Sequence, residues 1–283
     1  MYIKIRIRES RFFIGVLLAL FVTCSYCVDA RAIEQKTFID MKLNGQYIKM
    51  NVDAYEKNHR IMASARAIGE ALNATVEWVK NDRKILIIRS GKTIELILDS
   101  RRAVVNGEAT ELDIAAEIVD NRTMVPVRFI AESLGCSVDW DLKTYSILLS
   151  KPDLEIQAEK ILTKKYSEDD LLWLERIIEV EGRGLSLEGK LAIANVVKNR
   201  KESSLYPDSI YGVIFDREYC IQFPPAFKSG FKEVLPSQES IIAAKMALEG
   251  INNIEGCLFF NNIPFSNKKN DFYKEIEGEY FYY

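Results

Sequence analysis

Histidine is nearly absent from this chain of 283 residues, in which His59 is the only one. Ser-His-Asp and Cys-His catalysis each need an imidazole beside the nucleophile, and most zinc sites use at least one His ligand. A single histidine, far in sequence from the catalytic candidates described below, cannot serve these chemistries. We therefore expect neither a bound metal nor a cofactor.

The chain also lacks a strong excess of either charge. Its 38 Lys and Arg residues nearly balance 41 Asp and Glu residues, and no long basic run occurs after the extreme N-terminus. Binding to nucleic acid requires a basic surface that neutralises phosphates, so we expect no nucleic-acid partner. Hydrophobic residues make up 48% of the sequence, which is typical of globular protein.

Residues 1–32 have the pattern of a signal peptide. Four basic residues among the first eleven precede an apolar run over 12–22, and Ala30-Arg31-Ala32 has the small residues that signal peptidase reads. This run is short for crossing about 30 Å of hydrocarbon, although reading on to Val28 leaves an uncleaved anchor as the alternative. We predict an exported protein that contacts a membrane only if this segment is retained.

Cysteines are few in the predicted mature chain, which keeps Cys136, Cys220 and Cys257. Three cysteines permit at most one intramolecular disulfide among them. Pairing of Cys220 with Cys257 is left open.

The segment 33–152 contains two copies of one sequence unit. RAIGEALNATVEW begins at Arg66 and RFIAESLGCSVDW at Arg128, an offset of 62 residues, and Asn44-Gly45 recurs at the same offset as Asn106-Gly107. An Asn-Gly pair between strand-like runs is typical of a two-residue hairpin turn. Each copy is therefore predicted to form a strand, hairpin, helix and strand unit, and the two copies to bury their apolar faces in an α+β module.

The stretch NRTMVPVRFIAESLGCSVDWD, residues 121–141, resembles the repeat of the copper amine oxidase N-terminal-like domain, or stalk domain, of bacterial exported proteins. The resemblance covers most of 38–150 and implies a non-catalytic appendage that holds the protein to the envelope or to an envelope or spore partner. Within each copy, Arg66/Glu70 and Arg128/Glu132 are spaced four residues apart on a predicted helix. Both pairs are predicted to be structural ion pairs.

A charged connector over 153–166 leads into a second predicted domain, 167–283. Ser167 followed by three acids has N-cap character, so a helix is expected from Glu168 toward Gly182. Its apolar residues fall in one stripe, and Glu181 projects into that stripe.

The other glutamates nearby are predicted to be ordinary. Glu175 and Glu179 lie on a different face of the helix from the apolar stripe and are expected to be solvated. Glu188 is expected in the first turn of the next helix. Glu181 differs because desolvation on an apolar face would favour its neutral form, as a general acid needs near neutral pH. The alternatives are a buried acid paired with Arg183 or Arg200, or a frayed last turn.

Residues 167–283 resemble the catalytic domain of SleB-type cell-wall hydrolases, the spore cortex-lytic enzymes. The motifs occur in the family's order: EGRGL (181–185) for the Glu-Ala-Arg-Gly-Glu signature, Asn199-Arg200 at a helix end, Ile221-Gln222-Phe223 for Gly-Gln-Phe, and a closing GEYFYY. The resemblance implies a lysozyme-like, mainly helical α+β catalytic domain and a peptidoglycan lytic transglycosylase.

In the implied mechanism, Glu181 protonates the glycosidic oxygen between N-acetylmuramic acid and N-acetylglucosamine. The same carboxylate then takes the proton of the muramic C6 hydroxyl, which leaves a 1,6-anhydro end. One acid would then suffice where other glycosidases need a pair, and the sequence offers no second acid in a comparable context. The expected substrate contacts are Arg183, Gln222, Phe223, Asn261 and Tyr282, with packing in the core as the competing interpretation for the aromatic rings.

Two departures from the family pattern support an alternative function. Leu185 stands where the family has a second glutamate, and the usual C-terminal histidine is missing. The alternative is a catalytically impaired module that binds glycan or assists assembly in the envelope or spore. The leading hypothesis remains an exported enzyme, in the cell wall or spore envelope, that cleaves peptidoglycan glycan strands, with spore cortex during germination as one substrate.

Overall fold

The structure is a computed structural model that describes residues 38–218 and 220–283. The predicted signal peptide, 1–32, lies outside the described residues. Within the described ranges, no helix is long and apolar enough to cross a membrane.

Residues 38–150, called the repeat module below, are built from two copies of one unit. The first copy consists of β1 (Asp40–Leu43), β2 (Gln46–Tyr47), β3 (Tyr55–Lys57), β4 (Arg60–Ser64), α1 (Ala65–Ala71), β5 (Thr75–Val79) and β6 (Lys84–Arg89). After β7 (Lys92–Ile97), the second copy consists of β8 (Arg102–Val105), β9 (Glu108–Glu111), β10 (Glu117–Val119), β11 (Arg122–Pro126), α2 (Val127–Ser133), β12 (Ser137–Asp141) and β13 (Ser146–Ser150). Each element of the first copy has its counterpart 62 residues later, so the predicted repeat is confirmed.

The two Asn-Gly pairs form the predicted hairpin turns. Asn44 and Gly45 have φ values of 50° and 82°, and Asn106 and Gly107 have 53° and 87°. Two successive residues with positive φ make a type I′ turn, whose twist matches that of the flanking strands. The strand after the first turn is shorter than the sequence indicates. Beyond it, the Ile48 amide still donates to the Met41 carbonyl of β1 at 2.9 Å, and Ile48 pairs with Ile161 at the opposite edge.

Strand pairing relates the two copies by an internal two-fold axis. β4 and β11 pair antiparallel in a sheet of order β10-β11-β4-β3, where Ala63 lies opposite its own counterpart, Val125. Two further sheets have the orders β12-β13-β1-β2 and β5-β6-β7-β8-β9. One hydrophobic core cluster spans both copies, which confirms that the copies bury their apolar faces against each other.

The connector after the repeat module is packed against it. Residues 153–166 contain a single 3-10 turn, Ala158–Lys160, and Leu154 is buried in the module's core. The amide of Lys49 donates to the carbonyl of Lys160 at 2.9 Å, and the amide of Leu162 donates to that of Tyr47 at 2.7 Å. The connector therefore extends the sheet β12-β13-β1-β2 at its β2 edge.

Residues 167–283, called the helical domain below, contain four helices and a small sheet among the described residues. The helices are α3 (Glu168–Glu181), α4 (Leu187–Glu202), α5 (Ile210–Ile214) and α6 (Gln238–Leu248), with 3-10 turns at Pro224–Phe227, Phe231–Glu233 and Lys269–Asp271. β14 (Phe259–Asn261), β15 (Phe272–Ile276) and β16 (Glu279–Tyr282) form an antiparallel sheet of order β14-β16-β15. Ser167 and Asp170 form a capping box at the start of α3, as the sequence indicates. The α+β class is confirmed for both regions.

Helix α6 packs against both regions of the protein. Ile241 and Ile242 belong to the core cluster of the repeat module, whereas Ala243 and Ala244 pack in the core of the helical domain. The next residue of α6, Lys245, is only 1% exposed. Its ammonium donates to the Asp40 carboxylate and the Phe38 carbonyl, each at 2.8 Å. The repeat module therefore meets the helical domain through an apolar contact surrounding a buried ion pair.

Candidate active site

Glu181 is the last residue of α3. Its side chain is half-buried, and its Oε1 atom is fully buried without a partner among the described residues. Of the described residues, none hydrogen-bonds to its Oε1 atom or forms an ion pair with it. Burial and, to a smaller extent, the nearby charge of Glu279 together raise the pKa of Glu181 to about 7, against the opposing effect of Lys228 and Arg200. The structure thus has a continuous helix up to an unpaired acid, rather than a frayed turn or a salt bridge.

Glycines on either side of Arg183 allow the chain to leave α3 directly after Glu181. A Cβ atom on Gly182 would lie 2.9 Å from the carbonyl oxygen of Ile178 and 3.2 Å from Cδ1 of Ile193, so a side chain there would require its neighbours to shift. Gly184 has a φ of 88°, in the region that favours glycine. The Gly-Arg-Gly turn therefore ends the helix with the acid at its last position.

Glu279, on β16, is the second acid that sequence reasoning missed. It is half-buried, and burial raises its pKa as well. Its charge acts on Glu181 although 98 residues separate the two in sequence. The interpretation that Glu181 has no acidic neighbour of comparable context is wrong, because the sheet brings β16 back to the end of α3.

Arg200 supports the region beneath the acid. Its side chain is buried, and Nε donates to the Leu258 carbonyl at 2.7 Å. The guanidinium lies 5.1 Å from the ring centroids of both Tyr206 and Phe223. Asn199 donates in the same way to the Cys257 carbonyl at 3.0 Å. These two residues fasten α4 to the segment before β14.

The predicted substrate contacts divide into exposed and buried residues. Arg183 is exposed, and Gln222 and Asn261 are partly exposed, with their amides donating to Cys220 Sγ and to the Ile263 carbonyl.

Phe223 and Tyr282 must be corrected as predicted sugar contacts. Phe223 is fully buried, and Tyr282 is 2% exposed, with its hydroxyl accepting from the Phe265 amide. Both rings pack in the interior because α4 and the small sheet close over them, so neither offers a face to a sugar.

The prediction for Glu175 is wrong because its side chain is buried, and Glu179 is only partly solvated. Glu175 is 1% exposed, and its Oε2 atom has no hydrogen-bond partner among the described residues. Glu179 accepts hydrogen bonds from Ser237 and Ser240 at the start of α6. Burial alone would raise the pKa of Glu179, but these hydrogen bonds outweigh it and lower the pKa. Neighbouring elements cover α3 on several sides, so the single apolar stripe in the sequence did not predict all of its buried positions.

Substitution of Glu175 by Gln is expected to change the pH dependence of stability. Burial raises the pKa of Glu175 to about 8, against an ordinary value of 4.5 that we take for the unfolded chain. The contribution of Glu175 to stability is then fully present below about pH 4.5 and is lost as the pH rises toward 8. Glu175→Gln cannot ionise, so its free energy of unfolding relative to the wild type should rise by about 4 kcal/mol between pH 5 and pH 8.5.

Urea unfolding at pH 5 and pH 8.5 measures this effect, with the exposed acid Glu202 changed to Gln as the matched control. Parallel pH dependences of the wild type and Glu175→Gln would contradict the predicted burial of an uncharged carboxyl.

Leu185 fills the position of the family's second glutamate with an apolar contact. It is half-buried, and a Cβ atom on Gly189 would lie 2.9 Å from that of Leu185, so the leucine packs closely on α4. A carboxylate reaches the start of α4 from elsewhere, since Glu277 accepts from the Ser186 amide at 2.9 Å and from its hydroxyl. Glu188 lies in the first turn of α4, as predicted.

Two other predictions about side chains have mixed outcomes. Arg128 and Glu132 form the expected ion pair at 3.2 Å, whereas Glu70 pairs with Lys160 of the connector at 2.9 Å instead of Arg66. Cys220 and Cys257 are both free thiols here, the first exposed and the second buried. No group of three His, Cys, Asp or Glu residues in the described ranges is arranged to hold a metal ion.

Comparison with known protein families gives a match to each of the two regions. Residues 42–149 match the family described as Copper amine oxidase N-terminal domain, and residues 184–282 match the family described as Cell Wall Hydrolase. Each region is therefore similar to the family that its sequence resembles. The hydrolase match begins at Gly184, just after Glu181, so the role of Glu181 rests on its surroundings.

Particular relatives are spore cortex-lytic enzymes. One from Oceanobacillus iheyensis is 41% identical over 51 residues, covering 18% of each chain. One from Bacillus subtilis is 33% identical over 100 residues, covering 34% of this chain and 30% of the relative. The matches thus span less than a third of these curated relatives.

Two solved structures also resemble part of this chain. They are the catalytic domain of the germination-specific lytic transglycosylase SleB from Bacillus anthracis and that of the Bacillus cereus SleB protein. Each is 24% identical with a TM-score of 0.37, and the match covers 43% of this chain and 100% and 95% of theirs.

Proposed function

We propose that the helical domain cleaves the glycan strands of peptidoglycan, with Glu181 as the general acid. The observation that carries the proposal is the half-buried carboxyl of Glu181, whose Oε1 atom is buried without a partner among the described residues and whose pKa is raised to about 7. A carboxylic acid with such a pKa holds its proton near neutral pH and can still donate it to a leaving oxygen. The relatedness to spore cortex-lytic enzymes supports peptidoglycan, and cortex in particular, as the substrate.

The proposed reaction needs no water. Glu181 donates its proton to the glycosidic oxygen as the bond from that oxygen to C1 of the muramic residue breaks. The resulting carboxylate then accepts the proton of the muramic C6 hydroxyl while O6 bonds to C1, which gives a 1,6-anhydro end and returns Glu181 to its acid form. Arg183, Gln222 and Asn261 are the proposed substrate contacts, because their side chains are exposed or partly exposed.

The presence of Glu279 near Glu181 also permits a second route, hydrolysis. The identity of the product distinguishes hydrolysis from the route without water. In hydrolytic glycosidases a second carboxylate activates a water or attacks the sugar, so two acids can divide the work. Here Glu279 raises the pKa of Glu181, which keeps the proton on the group that must donate it. We assign Glu279 this supporting role and take anhydro ends as the expected product.

Digestion of purified peptidoglycan tests the proposed function. Full-length mature protein is mixed with spore cortex and with vegetative sacculi, and both turbidity and soluble fragments are followed. Release of glycan fragments from either material is expected, with cortex the preferred substrate. Binding to sacculi without release of any fragment would instead indicate the glycan-binding module considered above.

Glu279→Gln is expected to move the alkaline limb of the activity profile to lower pH. Removing the negative charge of Glu279 lowers the pKa of Glu181, so Glu181 loses its proton at a lower pH and activity falls sooner. The measurement is kcat/KM against pH for solubilised glycan strands, with the exposed sheet residue Glu275 changed to Gln as the control. An unmoved limb, or one displaced to higher pH, would show that Glu279 does not act on the acid.

A further inference from the structure

The repeat module carries two clefts that its internal two-fold axis relates to each other. Cleft A is lined by Arg66, Glu77, Trp78 and Arg122 among others, and cleft B by their counterparts 62 residues away, Arg128, Asp139, Trp140 and Arg60. Every residue that lines cleft A has its counterpart lining cleft B. The volumes are about 310 Å³ for cleft A and 540 Å³ for cleft B.

Each cleft combines residues of both copies. In cleft A, Trp78 and Arg66 come from the first copy, while Arg122 and Ile118 come from the second. Neither copy alone could form such a cleft, so the pair is a property of the assembled module. An aromatic ring, two arginines and an acid recur at matched positions in the two clefts. Packing of the core does not require them, because all four side chains lie mostly outside it.

The chemistry of cleft A suits a sugar. Trp78 is 46% exposed and Ile118 is 50% exposed, and both line this cleft, which gives it an apolar surface among polar residues. Glu77 and Asn51 can accept hydrogen bonds from hydroxyls there. Ligand sites typically combine such an apolar floor with a few polar groups that fix orientation.

A difference between the clefts gives cleft A a free positive charge. In cleft B, Arg60 Nε donates to the Asp113 carboxylate at 2.6 Å. The counterpart of Asp113 in cleft A is Asn51, so Arg122 lacks the ion pair that Arg60 forms in cleft B. Across the described part of the chain, neither Arg66 nor Arg122 forms an ion pair. Cleft A is therefore able to bind a carboxylate carried by the sugar.

Cleft B lies at the junction with the helical domain. Trp140 packs edge-on against Tyr145, with ring centroids 4.8 Å apart, and Gln238 of α6 donates to the Tyr145 hydroxyl. Both Tyr145 and Gln238 line this cleft. A ligand in cleft B would thus contact the domain that carries Glu181.

We propose that clefts A and B each bind a glycan segment of peptidoglycan, so that the repeat module is a bivalent glycan-binding unit. The identity of the ligand rests on the proposed function, because the helical domain would cut the same polymer. Since a two-fold axis reverses direction, the two clefts are matched to two segments of a cross-linked network rather than to one continuous strand. Free carboxylates on the muramic residues or their stem peptides are the groups that Arg122 would meet.

The test measures binding of the full mature chain, carrying Glu181→Gln to prevent cleavage, to purified sacculi. Trp78→Ala and Trp140→Ala are each expected to weaken binding about 10-fold, and the double variant about 100-fold, because two linked sites reinforce each other. Trp78→Phe should retain most of the binding. Leu235→Ala, which removes a side chain 87% exposed on the helical domain, is the control.

Trp140 also packs against Tyr145, so weaker binding by Trp140→Ala has two explanations, a lost ligand contact and a disturbed fold. A variant confined to cleft A separates them. Trp78→Ala with Arg122→Glu changes only exposed side chains, and it should lose affinity for sacculi with an unchanged Tm. If this variant and the double tryptophan variant bind as tightly as the parent, the proposal is overturned. Cleavage by the wild type is scored separately, so cleft-dependent binding without cleavage would reject only the proposed function, and cleavage with cleft-independent binding would reject only this inference.

Discussion

Replacement of Glu181 by Gln is expected to slow glycan cleavage about 10²- to 10⁴-fold. The amide has nearly the same size as the acid and fits the same site, but it cannot donate a proton to the glycosidic oxygen. The measurement is the initial rate of turbidity loss of peptidoglycan suspensions, at a pH below 7 where wild-type Glu181 is mostly protonated.

Glu188→Gln is the matched control for this experiment. Glu188 is an exposed glutamate in the same part of the chain, and it pairs on the surface with Lys274 at 3.2 Å. It should retain wild-type activity. The Tm of Glu181→Gln should not fall, since the substitution removes a carboxyl whose buried Oε1 atom has no partner among the described residues. Activity of Glu181→Gln within a factor of about three of the wild type would remove Glu181 from the mechanism.

Lys245→Met is expected to lower the free energy of unfolding by about 3 kcal/mol. The variant removes the hydrogen bonds that the ammonium donates to the Phe38 and Tyr145 carbonyls. It also takes one of two cations from Asp40, which bonds Lys164 at 2.9 Å as well. Loss of one member of a buried pair costs more than an exposed pair contributes, because the partner stays desolvated.

Urea unfolding and the rate of proteolysis within the connector, 153–166, measure this loss. The repeat module should separate from α6 more readily in Lys245→Met, which exposes the connector to protease. Lys198→Met, which breaks a surface pair with Glu202, is the control and should change stability by less than about 1 kcal/mol. An equally small effect at Lys245 would show that the ion pair does not hold the two regions together.

The repeat module was largely predictable from sequence. Its two copies can be found by sliding the chain against itself, and each Asn-Gly pair selects one turn type because both residues adopt positive φ. The start of α3 was equally clear, since a capping box is a local signal formed by Ser167 and Asp170. These features depend on residues that are close together in sequence.

The burial of the acids on α3 was only partly predictable. The position of Glu181 on an apolar face follows from helical periodicity, whereas Glu175 is buried because residues near Asp141 of the repeat module close over it. Glu279 reaches Glu181 only through the pairing of β16 with its neighbours. Contacts between distant segments set these environments, and no local pattern in one sequence encodes them.

The most direct test of the central claim, that Glu181 breaks the glycan strand, is the mass of the ends that wild type and Glu181→Gln produce from sacculi in heavy-oxygen water. The wild type should generate new 1,6-anhydromuramic ends without heavy oxygen, and Glu181→Gln should generate none above background. Equal production of these ends by both proteins would contradict the account. Reducing ends that carry heavy oxygen would instead show hydrolysis, and would reject the proposed route without water.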